Sequence, residues 1–254
     1  MTQAFFEECD SELARNSLPA ELKLMEGLLK SAPDNRRLLT ALCMGFTGYA
    51  MLFLEDLAPK RASELYLRAR DYGLRAIGPS ASPLREAAES RQIVKTALAT
   101  IGEGALEPLF WTTMSWNAWV NLNLDKPAAL AQLAAAELCL ERVLQLKGDY
   151  FYGTPYVLMG TTLAARPKML GGDATRSREY FEKAIALTGG KFLLTQYYFA
   201  RYYAVRVQDK ALFYELITQV DTISPDALKE VCLINSVMKQ KSKKLKNMAE
   251  ELFF

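Results

Sequence analysis

Two stretches of this chain carry large, small and aromatic residues at identical intervals, and that recurrence restricts the fold more than any other feature. Tyr156, Met159, Gly160 and Leu163 are spaced three, one and three apart, and Ser177, Phe181, Ala184 and Gly189 follow at four, three and five. Tyr197, Ala200, Arg201 and Ala204, then Phe213, Ile217, Val220 and Pro225, repeat those spacings. Intervals of three and four place residues on one helix face, so each stretch reads as two helices meeting through a stripe of small and large side chains.

This is the tetratricopeptide pattern, in which the small positions let paired helices approach and no single pair can bury its own face. Two weaker copies lie upstream. Trp111, Met114, Ser115 and Ala118 match a first helix, with Ala136, Leu140, Val143 and Gly148 behind them. Ala41, Met44, Gly45 and Gly48 match another, followed by Ala69, Gly73 and Ala76. No sustained period-two alternation bounded by hairpin turns occurs, so strands are not expected. The predicted fold is all-α, a tetratricopeptide-like helical-repeat array with degenerate repeats and extra flanking helices. It forms a single all-helical domain over 1–254, with repeats near 38–79, 108–148, 153–189 and 194–225 and a C-terminal helix over 225–251.

Punctuation residues set the helix ends. A short helix over Pro19–Lys30 stops near Pro33, Pro59 opens the next long one and Gly78-Pro79 closes it. Ser82-Pro83 and Lys126-Pro127 start others, Asp173 or Thr175 caps one after the Gly171-Gly172 turn, and Gly189-Gly190 ends it. Leu38–Leu54 is uncharged over seventeen residues and is either a buried helix or a short membrane span. Trp111, Trp116 and Trp119, spaced five and three, do not share one helix face, which predicts that at least one looks away from the core.

Charge is nearly balanced, 31 basic against 29 acidic residues, so nothing points to nucleic acid. The lysines at 239, 241, 243, 244 and 246 read as a solvated face suited to a helix C-terminus. With no histidine, the usual nucleophile and base pairs and metal sites are not expected, nor any cofactor. Glu7, Glu8, Glu86, Glu89, Glu250 and Glu251 lie on charged stretches and read as solvated. Cys9, Cys43, Cys139 and Cys232 are far apart, without a CxxC pair, and leave the redox compartment open. Residues 1–8 hold no basic and apolar leader pattern, so no signal peptide is expected in this stretch.

Arg166-Pro-Lys-Met-Leu-Gly-Gly-Asp173, Tyr180-Phe-Glu-Lys-Ala-Ile, Gly189-Gly-Lys-Phe-Leu-Leu, Ala200-Arg-Tyr-Tyr-Ala and Gln208-Asp-Lys-Ala-Leu-Phe213 resemble the T component (TatT family) of the tetratricopeptide-repeat-associated TRAP transporters. The resemblance is strongest over 153–220. It implies a periplasmic lipoprotein forming homotrimers, each protomer with an apolar-lined passage, that partners the solute-binding P component. Attachment to a membrane would run only through an N-terminal lipid anchor, and Cys9 has no lipobox before it.

In such an array, defined positions of each first helix face the concave surface, as the family resemblance implies. These are Tyr198, Tyr202, Val205 and Arg206; Thr112, Trp116, Trp119 and Val120; and Leu42, Phe46, Tyr49 and Ala50. Trp116, Trp119, Tyr198, Tyr202, Phe46, Tyr49 and Arg206 are the candidate ligand-binding residues. A surface this apolar suits an apolar or amphipathic small molecule better than an acidic peptide terminus, which needs several cationic donors. The alternatives are that the rings are core, or that the groove holds a partner helix or peptide. Arg166 and Arg201 stand in apolar surroundings and either pair with nearby groups or anchor an anion.

Overall fold

A computed structural model describes residues 2–85 and 90–253. Glu86, Glu89 and Phe254 lie outside them. Among the described residues there are fourteen α-helices and no strand, an all-α fold. The chain divides into two compact units, residues 15–147 and residues 1–14 with 148–254.

The first unit contains most of α2 (Ser11–Ser31), α3 (Arg36–Tyr49), α4 (Pro59–Ile77), α5 (Ser82–Arg85), α6 (Arg91–Ala99), α7 (Leu106–Leu122) and α8 (Pro127–Lys147). Polar side chains start several of these helices by taking up orphan backbone donors: Asp10 Oδ1 accepts from Glu12 N and Leu13 N, Asn35 from Leu38 N and Ser90 from Ile93 N. The Asp10 cap starts α2 well before Pro19, which therefore sits inside the helix rather than opening it. The uncharged run Leu38–Leu54 forms α3 and a π-helical turn, Ala50–Leu54. The segment Arg36–Leu54 is long and apolar enough to cross a membrane, yet 72% of its most apolar window is buried within the fold.

Helix α7 packs against α3, α4 and α8 and is buried around most of its circumference. All three tryptophans are enclosed, Trp116 at 0%, Trp111 at 2% and Trp119 at 6% exposure, so the expected outward-facing ring does not exist. A helix without charge from Pro108 to Leu124 has no polar face to turn outward and becomes the centre instead. Gly73 lets α4 reach α7, because a side chain there would press on Thr112 and lie 2.8 Å from Cys43 Sγ.

The second unit holds α1 (Thr2–Glu7), α9 (Tyr150–Ala165), α10 (Ala174–Thr188), α11 (Leu193–Tyr198), α12 (Lys210–Thr222), α13 (Cys232–Asn247) and α14 (Ala249–Leu252). Asp173 caps α10 by accepting from Arg176 N, and Gly189, in the left-handed region at φ 57°, ends it. Gly160 brings α9 onto Phe181 of α10, where Ser177 Oγ donates to the Gly160 carbonyl at 2.7 Å and Phe181 stacks on Phe199 at 4.7 Å. Asn235 of α13 is wholly buried with three hydrogen bonds: Oδ1 accepts from Leu193 N, and Nδ2 donates to the Lys191 and Pro225 carbonyls.

In chain order the helices include the neighbours α3 and α4, α7 and α8, α9 and α10, and α11 and α12. The expected helix over 225–251 is instead a 3-10 stretch, Pro225–Val231, then α13 and α14. Proline opens that stretch, and Leu228, at φ −134° and ψ 88°, interrupts helical backbone before Cys232. Lys239 Nζ donates to the Asp221 and Ile223 carbonyls at the end of α12, and Lys246 pairs with Asp221. The 3-10 stretch also brings Cys232 to Cys9. The two form a disulfide across 223 residues of sequence, a pairing that spacing alone had not disclosed.

Candidate ligand-binding site

The seven candidate side chains separate by burial and by unit. In the 15–147 unit, Phe46, Trp116 and Trp119 are buried and Tyr49 is half-buried. In the other, Tyr198 and Tyr202 are half-buried and Arg206 is exposed. Leu42, Ala50, Thr112 and Val120, also expected on the concave face, are core.

Trp116 is held as core aromatics usually are, by a full set of contacts and a satisfied N–H. Its Nε1 donates to Gln132 Oε1 at 3.0 Å, Arg70 Nη1 donates to the same oxygen at 2.7 Å, and the Arg70 guanidinium lies 5.3 Å from the indole centroid. Arg70 is itself neutralised by Asp71 at 2.9 Å.

Phe46 lies under a charged cluster. Its ring stacks with Tyr72 at 6.0 Å and sits 4.9 Å from the Arg68 guanidinium. Glu26, 9% exposed, accepts from the Tyr72 hydroxyl and from Lys23 Nζ, each at 2.8 Å, and pairs with Arg68. Burial pushes the Glu26 carboxyl upward, but the hydrogen bonds from Lys23 and Tyr72 and the charges of Arg68 and Lys23 outweigh it and hold it below its ordinary value. Burial and the hydrogen bond to Glu26 raise the Tyr72 phenol. Sequence reading overlooked Arg68 and Tyr72, although their i, i+4 spacing on an amphipathic helix was available as a signal.

In the second unit, α11 ends at Tyr198 and runs into a π-helical turn, Phe199–Ala204, that carries Tyr202. The Tyr198 and Tyr202 rings are 5.1 Å apart. Arg201 Nη1 donates to the Tyr197 hydroxyl at 2.6 Å, and its guanidinium lies 5.9 Å from the Tyr197 ring and 5.4 Å from the Tyr202 ring. Arg201 therefore has structural partners, with aromatic rings among them. Arg206 stands in the turn after the π segment, beyond this aromatic group.

The remaining chemistry is quiet. Cys43 and Cys139 are enclosed, and burial pushes both thiols up to about 12, leaving them protonated and poorly nucleophilic. A polar cleft of about 180 Å³ beside Arg36, Ile77, Ser80 and Ile101 is smaller than the ~300–1,000 Å³ usual for small-molecule sites. What the geometry of the candidate residues offers is aromatic and cationic surface. Comparison with known proteins adds two findings. The family described as TRAP transporter T-component matches residues 7–253. An uncharacterized protein of Treponema pallidum (strain Nichols) is 24% identical, the alignment covering 99% of this chain and 83% of that protein.

Proposed function

The chain belongs to the TRAP transporter T-component family, whose members are periplasmic accessory proteins, and from that premise we propose that it binds or relays an apolar or amphipathic small molecule together with the solute-binding P component. The observation that supports this most is the half-buried pair of Tyr198, the last residue of α11, and Tyr202, on the π turn that follows. Such turns interrupt regular helix at a cost and are common at functional sites. Two phenol rings tilted against each other, part covered and part open, give an apolar molecule area to bury. Tyr49, also half-buried beside a π turn and 5.7 Å from Phe53, is the equivalent group in the other unit. Phe46, Trp116 and Trp119 take the role of support beneath such surfaces.

The test is titration with a dansylated long-chain fatty acid. Replacing Tyr198 and Tyr202 together by Ala is expected to weaken binding about tenfold or more, the equivalent of ~1.4 kcal/mol of burial and stacking, with helical content kept. Unchanged affinity in the folded double variant removes these rings from the site. We also propose that the protein is a homotrimer. Sedimentation at micromolar concentration that shows only a 28.5 kDa species would overturn that assembly.

A further inference from the structure

Residues 151–153 depart most from ordinary backbone. Phe151, Tyr152 and Gly153 all lie at positive φ, 44°, 59° and 78°, in succession. Glycine accepts that region freely, but two consecutive aromatic residues there are strained, and such geometry persists only where the surroundings enforce it. Here the enforcement is aromatic. Phe151 meets Phe6 at 5.4 Å and Phe192 at 6.2 Å, and Tyr152 meets Phe192 at 5.5 Å. Phe192 belongs to the body of the unit and is wholly buried, whereas Phe6, only 2% exposed, is carried by α1.

Helix α1 is six residues long and packs on Pro225–Val231 and α13. Too short to be stable on its own, it needs tertiary support. Two residues beyond its end, Cys9 is bonded to Cys232 at the start of α13, with Cα atoms 5.0 Å apart. Cys9 is exposed and Cys232 is buried. The next helix does not depend on this attachment, because Asp10 caps α2 itself and Gln240 Nε2 donates to Ser11 Oγ at 2.8 Å. Glu8–Asp10 is therefore a hinge with an independently fixed far end.

We propose that the Cys9–Cys232 disulfide is a redox-sensitive latch that holds α1 and its Phe6 ring over the strained aromatic turn at Phe151–Gly153. While the bond is intact, Phe6 stays seated and the turn stays covered. Reduction by a dithiol opens it. A thiolate of the reductant attacks the sulfur of exposed Cys9, the S–S bond breaks, and Cys232 leaves as a thiolate that takes up a proton. The reductant's second thiol then closes its own disulfide and releases the Cys9 thiolate, so two electrons pass from dithiol to protein. Freed, α1 has too little intrinsic stability to stay docked, and the Phe151 face becomes available to an apolar molecule.

This inference does not rest on the proposed ligand site, and its test is separate. In unreduced, denatured protein, thiol titration should find two free cysteines, Cys43 and Cys139, against four after reduction. Native protein is then treated with dithiothreitol and followed three ways: anilinonaphthalene sulfonate fluorescence, cleavage after Glu7 or Glu8 by a glutamate-specific protease, and tryptophan emission. The dye signal and the cleavage rate should rise severalfold. Tryptophan emission should not move, since all three tryptophans lie in the 15–147 unit and report on its integrity. Phe6→Ala in the oxidised protein should reproduce part of the dye response with the covalent tether in place. Four free thiols before reduction, or unchanged dye and cleavage after it, overturn the latch. A shift in tryptophan emission on reduction also overturns it, because the disulfide would then support the whole fold.

Discussion

Helix α3 in one unit and α11 in the other end the same way, in a π turn whose backbone bonds reach five residues back: Glu55 N to the Ala50 carbonyl at 2.9 Å, and Val205 N to the Ala200 carbonyl at 3.3 Å. In each, two rings four residues apart come together, Tyr49 with Phe53 and Tyr198 with Tyr202. The chemistry laid on this shared backbone differs. Ala50–Leu54 is wholly apolar, and the nearby cations come from α4, where Arg68 is neutralised by Glu26 and Arg70 by Asp71. Phe199–Ala204 carries its own cation, Arg201, hydrogen-bonded to a phenol and flanked by two tyrosine rings. The rings of α7 are enclosed in a core, whereas Tyr198, Arg201 and Tyr202 are half-covered. Similar residue types beside similar turns therefore differ in burial.

The sharpest way to break this comparison is to remove one ring from each unit. Trp116→Ala should cost about 3–5 kcal/mol, since it empties an enclosed site and strips Gln132 of a donor. Tyr202→Ala, from a half-buried position, should cost about 1 kcal/mol or less. Urea denaturation with far-UV detection measures both. Equal losses would mean that the two units do not differ in how they use their aromatics.

A smaller difference is expected at the glycines where helices touch. Gly73→Ala and Gly160→Ala should each destabilise by about 1–3 kcal/mol through overpacking. Gly73 should be the worse, because the side chain it would meet is Thr112, fixed by its own hydroxyl donating to the Pro108 carbonyl at 2.6 Å. A Cβ on Gly160 would approach Phe181 Cδ2 at 2.9 Å and the Ser177 carbonyl at 3.2 Å, and a ring has more freedom to slide than a hydrogen-bonded threonine. The reverse order of melting temperatures would place the tighter packing in the second unit.

Much of the scaffold was readable because its signals are local. Asp173 caps α10, Pro59 opens α4 and Gly189 ends α10. The features that distinguish the units were not local. A π turn adds one residue to a helix without changing its composition, and nothing in Phe199-Ala-Arg-Tyr-Tyr-Ala204 marks it. Burial of Trp116 depends on α4 and α8 closing over both sides of α7, and the disulfide joins positions 223 apart. Positive φ at Phe151 and Tyr152 contradicts their intrinsic preference and is imposed by Phe6 and Phe192. The concave-face rule identified Tyr198 and Tyr202 as a pair, but it also selected Leu42, Ala50, Thr112 and Val120, because it fixes direction and says nothing of what packs on top.

The smallest expected effect is electrostatic and belongs to the 15–147 unit. Glu26 is held below its ordinary carboxyl value, so it binds a proton less readily folded than unfolded. For a depressed carboxyl, the stabilisation is fully present above the unfolded value and is lost as pH falls through the folded one. The loss should therefore fall in the acidic range, below the usual carboxylate value of 4.5, and leave neutral pH untouched. Its size is limited because the partners are open to water, Lys23 at 71% and Arg68 at 41% exposure, which keeps such pairs near about 0.2–1 kcal/mol. Glu26→Gln should remove this part of the acid dependence and lower stability at neutral pH by a similar amount, with Tyr72 keeping an acceptor. Urea denaturation of the unaltered protein and of Glu26→Gln between neutral and acidic pH measures the effect, and an acid dependence left unchanged by the substitution would show that Glu26 is not its source.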